Sequence, residues 1–166
     1  MASLEVTLQP MTQPQYVRWY DACVTSFAKD KMAALDISFD DALKLSKESF
    51  QKDLPKNLAT RDNYFFSVFD TNIGVVGNLW LAIQTKFNVV TAYIYDIEIF
   101  AEHHRKGFGE ATMKQAEIAA IKRGATKIGL HVFGDNIAAR ALYEKFGYRT
   151  TDLTMTKDLG ELNIKK

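Results

Sequence analysis

The chain has 166 residues, 47% of them apolar and 25% charged, and 21 Lys and Arg against 20 Asp and Glu leave a formal net charge of +1. This is the composition of one globular domain, long enough to bury roughly 70% of its unfolded surface without disulfides or a structural metal, and its balanced charge argues against nucleic-acid or anionic-membrane partners. A single cysteine, Cys23, excludes an internal disulfide and CxxC chemistry and points to a reducing, cytoplasmic setting. No apolar run approaches the ~20 residues of a membrane span, and the opening MASLEVTLQP has neither the basic start nor the apolar stretch of a signal peptide.

No repeat, low-complexity stretch or Pro/Gly/Ser linker divides the sequence, so residues 1–166 are expected to form a single domain. Val6 to Gln9 predicts a short strand. Thr12 then caps a helix with Pro14 in its first turn, where a missing N–H costs nothing. Along that helix Tyr16, Trp19, Tyr20, Cys23 and Phe27 recur at helical spacing, which predicts a core face. A second helix is expected from Phe39 to Lys52, with Asp40 and Asp41 at its positive end and Pro55 beyond it.

The period then changes. Tyr64 to Phe69, Val75 to Gln84 and Val89 to Phe100 are rich in β-branched and aromatic residues and predict three strands, joined through Asp70–Gly74 and Lys86–Asn88 as an antiparallel meander. Gly109 to Arg123 predicts a helix with Met113, Ala116, Ile118, Ala119 and Ala120 inward and Gly124 as its stop. Lys127 to Phe133 predicts a strand, Ile137 to Phe146 a helix ended by Gly147, and Tyr148 to Lys157 one or two further strands. The strand, helix and strand over residues 91–133 are long enough for a parallel crossover. The fold class is therefore mixed α/β, with a mostly antiparallel sheet flanked by helices.

The most informative segment runs from Ile97 through the basic loop His103-His104-Arg105-Lys106-Gly107-Phe108-Gly109-Glu110. A strand enters a glycine-bearing loop that opens a helix, and a helix N-terminus offers unpaired N–H groups and a positive dipole end to an anion. Gly107 and Gly109 let backbone approach phosphate closely, while Arg105 and Lys106 add charge. A dinucleotide GxGxxG is excluded because Thr112 holds the third glycine position, and GxxxxGK[ST] is absent.

A second segment, Asn136-xx-Ala139-xx-Leu142-Tyr143-xxx-Gly147-Tyr148, resembles the second conserved segment of the GNAT superfamily of N-acetyltransferases. The basic loop is similar to that superfamily's acyl-CoA loop, [Q/R]-x-x-G-x-[G/A], with His104 in place of Gln or Arg and Ala101 where proline is common. The resemblance covers about residues 64–158. It implies a GNAT-like acyl-CoA N-acyltransferase fold whose central parallel strands, 89–100 and 127–133, splay apart to admit acetyl-CoA as donor substrate.

By position, the resemblance implies that the backbone of Ile97, Glu98 and Ile99 pairs with the pantetheine arm and that Arg105, Lys106, Gly107, Phe108, Gly109 and Glu110 surround the pyrophosphate. Asn136 would bond the arm, and Tyr143 would lie near the sulfur as the acid that protonates the departing thiolate. Since most loop contacts come from N–H groups, His104 is expected to modify donor affinity without abolishing it. Three residues compete for the base. His131 stands where some members of that superfamily carry a glutamate, and histidine is a residue type suited to relaying protons, whereas Asp96 and Glu98 share one face of their strand by period two. His131 is preferred over Glu98.

The implied reaction is direct acetyl transfer from acetyl-CoA to a primary amine, small molecule or peptide, in a ternary complex of a monomer or homodimer. Its rival is a non-catalytic acyl-CoA-binding or sensing module of the same fold. A metal site from His103, His104 and His131 is not expected, because adjacent histidines rarely turn toward one ion and no acid or thiol lies at ligand spacing. Cys23 reads as core, and Trp80 as a mid-strand residue able to line the acceptor pocket, which is expected near the first two helices.

Overall fold

The structure, a computed structural model, describes residues 4–157 and 159. Packing divides the chain into a larger unit, Met1–His131, and a smaller one, Val132–Lys166.

In the larger unit five strands, β1 (Thr7–Pro10), β2 (Asn63–Asp70), β3 (Gly74–Lys86), β4 (Val89–Ile99) and β5 (Lys127–Leu130), lie in sequence order in one sheet. All neighbours are antiparallel except β4 and β5. Helix α1 (Gln13–Leu35) begins at a capping box, in which the Thr12 side chain accepts from Gln15 N while the Gln15 side chain reaches back to Thr12 N. It runs two turns past the expected core face, ending at Asp36 in the left-handed region. Helix α2 (Phe39–Asp53) is capped by Ser38, with Asp40 and Asp41 in its first turn as expected. Small residues let α1 and α2 approach closely: Ala28 and Ala42 are fully buried, and Ser46 donates to the Val24 carbonyl at 2.8 Å.

Successive strand residues face opposite sides, and the two sides do different work. On one, Phe65 and Trp80 pack with Met11, Tyr16, Trp19 and Leu54 into an aromatic core beneath α1. On the other, helix α3 (Phe108–Lys122) packs against β1, β3 and β4, and the Arg123 guanidinium after it lies 4.1 Å from the Tyr64 ring centre. Met113, Ala116, Ala119 and Ala120 of α3 are buried as expected. Ile118 is instead 42% exposed, since at 3.6 residues per turn it falls about 140° around the helix from Met113, off the buried stripe; Thr112, which bonds back to the Phe108 carbonyl, is buried. Phe27 is likewise exposed at the edge of the aromatic core.

Gly77 of β3 stands opposite Ile99, and a Cβ there would collide with the Glu98 carbonyl oxygen. Only glycine allows β3 and β4 to approach so closely at that point. Between Trp80 and Leu81 the register slips, Trp80 facing Asp96 and Leu81 facing Ile94, so Tyr95 is an extra, bulged residue of β4. The parallel pairing of β4 with β5 stops at Ile94 and Leu130, immediately before that bulge. The strand expected over Lys127–Phe133 therefore ends at Leu130: past the bulge β4 no longer offers it a partner.

In the smaller unit helix α4 (Ile137–Lys145) is capped by Asn136, whose Oδ1 accepts from Ala139 N at 3.2 Å. Residues 148–157, expected to hold one or two strands, form none; Leu153 and Met155 carry the alternating pattern but are exposed, with no backbone ladder to use it.

Candidate active site

Two features of the larger unit meet at the bulge. The first is an open backbone edge. Phe100 N donates to the Val76 carbonyl at 2.9 Å, in register with the pairing of Gly77 and Ile99, so Asp96, Glu98 and Phe100 turn their backbone groups toward β3. Ile97 and Ile99 must then turn theirs the other way, toward the side that β5 has left. Of the three residues expected to pair with a donor, Ile97 and Ile99 present polar backbone there; Glu98 spends its backbone on β3.

The edge leads through a short 3₁₀ turn, Ala101–His103, into the basic loop. Arg105 and Gly107 both have positive φ, 57° and 89°, a conformation that glycine adopts without strain and arginine does not. Gly107 is the N-cap of α3 and supplies no side-chain cap, and the first intrahelical bond runs from Ala111 N to its carbonyl. The N–H groups of Phe108 and Gly109 thus have no acceptor within the helix and face its positive end. The Phe108 side chain is buried against the His103 ring, so only its backbone can serve an anion. The Lys106 ammonium donates to the Glu102 carbonyl at 2.7 Å, and Arg105 is exposed. Amide groups along an edge that runs into a cationic, N–H-lined helix start fit a ligand carrying amides and a pyrophosphate on one chain, which is what acyl-CoA is.

The second feature is a carboxylate. Asp96 follows the bulge, and its side chain lies beneath α1, where Oδ2 accepts from Trp19 Nε1 at 2.8 Å and from Cys23 Sγ at 3.8 Å. Oδ1 takes no hydrogen bond among the described residues. Burial raises the Asp96 pKa above its usual range; the Trp19 hydrogen bond opposes this, the charge of Glu98 adds to it, and the Cys23 hydrogen bond opposes it again. Cys23 is pushed up in turn, first by burial and then by the Asp96 charge, so the thiol stays protonated. Glu98 acts electrostatically on both groups and is exposed, in keeping with the face it was expected to share with Asp96.

Around Asp96 the walls are aromatic. Trp80 stands opposite it across the strands, stacks on Tyr95 at 4.5 Å between ring centres and meets Trp19 edge-on at 5.5 Å. Beside the Trp80–Tyr95 stack a cavity of about 230 Å³ opens toward the end of α2, with Asp53, Asp62, Asn63 and Gln84 on its wall. Tyr16, on the buried face of α1, has a buried hydroxyl with no hydrogen-bond partner among the described residues, and burial raises its pKa.

The other expected residues lie elsewhere. His131 is exposed, one residue past the end of β5, and so outside the strand on which it was expected. In the smaller unit the Asn136 carboxamide oxygen is used as a helix cap, and Tyr143 is half-buried with its ring 5.9 Å from that of Tyr148. Among the described residues no three His, Cys, Asp or Glu side chains converge as metal ligands, and no helix is long and apolar enough to cross a membrane. Sequence reasoning missed the Trp19 indole as partner of Asp96. The one local signal was an acidic residue in a strand that otherwise reads Tyr-Ile-Tyr-Asp-Ile-Glu-Ile, since a carboxylate among apolar neighbours needs a donor.

The model of the acetyltransferase (GNAT) family matches residues 19–148. The Bacillus subtilis protein YycN, described as an uncharacterized N-acetyltransferase, is 30% identical over 156 residues, covering 94% of this chain and all of YycN. Its crystal structure superposes with a TM-score of 0.85 over 93% of this chain and 98% of that one. YdgE of the same organism, described in the same words, is 26% identical over 92% of this chain and 98% of its own length. A structure from Pyrococcus furiosus, described as an acetyl transferase, is 28% identical with a TM-score of 0.64, covering 93% of this chain and all of that one.

Proposed function

Since the chain belongs to the acetyltransferase (GNAT) family and is an acetyltransferase, we propose that it passes the acetyl group of acetyl-CoA directly to a primary amine within a ternary complex. The observation that carries this reading is Asp96, a half-buried carboxylate fixed through one oxygen by Trp19 with the other left for an acceptor.

Acetyl-CoA supplies an activated acyl group as a thioester. On the protein's side, the Ile97 and Ile99 edge and the N–H groups of Gly107 to Gly109 would hold the donor, with Arg105 and Lys106 balancing phosphate charge. Glu110 would contribute through backbone at the same helix start, and Asn136 by bonding the pantetheine arm. An amine arrives as an ammonium ion and must lose a proton before it can attack. Asp96 and Glu98 provide negative charge to draw the cation in, and the Trp80 and Tyr95 rings an apolar wall with π-faces for it. Asp96 Oδ1 accepts the proton, made more basic by the burial that raises its pKa. As the N–C bond forms and the C–S bond breaks, Tyr143 gives its hydroxyl proton to the thiolate, and the second proton shed by the nitrogen as the amide forms restores the Tyr143 hydroxyl by way of solvent. This places the base at Asp96, assisted by Glu98, and leaves His131 as a relay to solvent.

The test is initial-velocity kinetics with a panel of primary amines, from alkylamines to peptides with free N-termini, following thiol release and acetylated product. Families of double-reciprocal lines that intersect are expected, and Tyr143→Phe should lower kcat about 10²-fold while sparing donor affinity. Parallel lines would mean an acyl-enzyme and contradict direct transfer; thiol release without any amine dependence would contradict the amine acceptor.

A further inference from the structure

The turn between β4 and α3 holds a contact that the donor-site motif does not supply. The His104 imidazole reaches back across the 3₁₀ turn and places Nε2 2.6 Å from the Ile99 carbonyl oxygen. A carbonyl can only accept, so Nε2 carries the hydrogen, and neutral His104 is held as the Nε2–H tautomer. Ile99 is one of the two residues whose backbone groups face the side vacated by β5. His104 thus gives the edge the donor that the next strand would have given it, and does so from inside the loop. The Lys106 ammonium closes the same turn a second time, on the Glu102 carbonyl.

We infer that His104 is a positioning residue of the donor site: its Nε2–H staples the anion-binding loop to the open edge of β4 through one lone pair of the Ile99 carbonyl. This rests on the acetyl-CoA reading above. Two consequences follow from the geometry. The edge and the loop are held in one fixed relation before any ligand arrives, so a ligand that uses both at once pays less to order them. One lone pair of the Ile99 carbonyl stays open to a ligand amide N–H, so the staple leaves the arm's own pairing with Ile97 and Ile99 in place. The staple therefore matters for a ligand that spans edge and loop, and little for one that touches the edge alone.

The test compares wild type, His104→Ala and His104→Gln in three measurements. In the apo protein, ¹⁵N chemical shifts of the imidazole read the tautomer without any ligand; the staple requires protonated Nε2, and an Nδ1–H tautomer would overturn it. In calorimetric titration with CoA, His104→Ala should bind roughly tenfold more weakly, as expected for one lost hydrogen bond in a preorganised site. His104→Gln, whose amide can still donate across the turn, should stay within about threefold of wild type. Acetyl-pantetheine, which lacks the pyrophosphate, should bind wild type and His104→Ala with closely similar affinity. In turnover, KM for acetyl-CoA should rise in His104→Ala with kcat at saturating donor unchanged. Equal CoA affinity in wild type and His104→Ala, or a Gln variant no better than Ala, would overturn the inference. Failure of wild type to bind CoA would instead overturn the acetyl-CoA reading, and the apo tautomer would still decide whether the staple exists.

Discussion

The two halves of the proposed site are built from different materials. The donor side, the β4 edge with its loop, is made of backbone: N–H groups exposed because β5 stops at Leu130 and because α3 starts at a glycine cap. The acceptor side is made of side chains, with Asp96 gripped by Trp19 and walled by Trp80 and Tyr95. A backbone site tolerates most side-chain changes and fails when chain geometry changes. A side-chain site does the reverse, so substitutions separate the two.

The largest effect is expected where backbone meets backbone. Gly77→Ala forces a Cβ onto the Glu98 carbonyl, and since the obstacle is main chain, β3 and β4 must part opposite the open edge. A loss of about 3 kcal/mol or more is expected in urea denaturation, with donor affinity falling in whatever protein still folds. Gly107→Val should come next. Its Cβ would have room, the nearest side-chain atom being 3.6 Å away, but a β-branched residue is strained at φ 89°. The loop should shift rather than the fold, weakening CoA binding about tenfold or more while costing about 1–3 kcal/mol of stability.

A smaller and more specific effect belongs to Trp19→Phe. The ring wall remains, but Asp96 loses the hydrogen bond that lowers its pKa, so its pKa should rise further. The acid limb of the pH–rate profile should move to higher pH, with a stability cost of about 1–3 kcal/mol, while donor affinity stays unchanged. A limb that does not move would detach Asp96 from the rate. Stability carries its own sign. A carboxyl whose folded pKa is raised binds its proton more tightly in the folded state, so stability is greatest below the unfolded pKa and falls as pH rises through the folded one. Asp96→Asn removes that dependence and should be more stable than wild type at neutral pH, by about 1 kcal/mol, with the gap closing on acidification.

How much the sequence disclosed follows from the same division. The basic loop at the start of α3 was legible because its parts are local: two glycines, two cations and a helix start lie within a few residues of one another. The helix cap at Thr12 and the acidic first turn of α2 were legible for the same reason, whereas the reciprocal Gln15 bond that makes the cap a box was not read. Trp19 and Asp96 lie 77 residues apart, and no local pattern pairs an indole with a carboxylate at that distance. The bulge at Tyr95 leaves no mark in the alternation of β4, which is why the expected β5 strand overran to Phe133 and carried His131 with it. The strands expected over residues 148–157 failed similarly: alternation predicts a strand only where a neighbouring edge is present to pair with it. His104 was seen as a departure from the loop pattern, but its reach to Ile99 depends on the 3₁₀ turn between them.

The most direct test of the account measures donor affinity and transfer rate in one preparation of Asp96→Asn. The account predicts that CoA binds as it does to wild type, because backbone holds the donor, while kcat for the amine falls about 10²–10³-fold and the folded protein is at least as stable. Wild-type turnover in Asp96→Asn, or a loss of CoA affinity as large as the loss of rate, would contradict the division of the site into a backbone half for the donor and a carboxylate half for the amine.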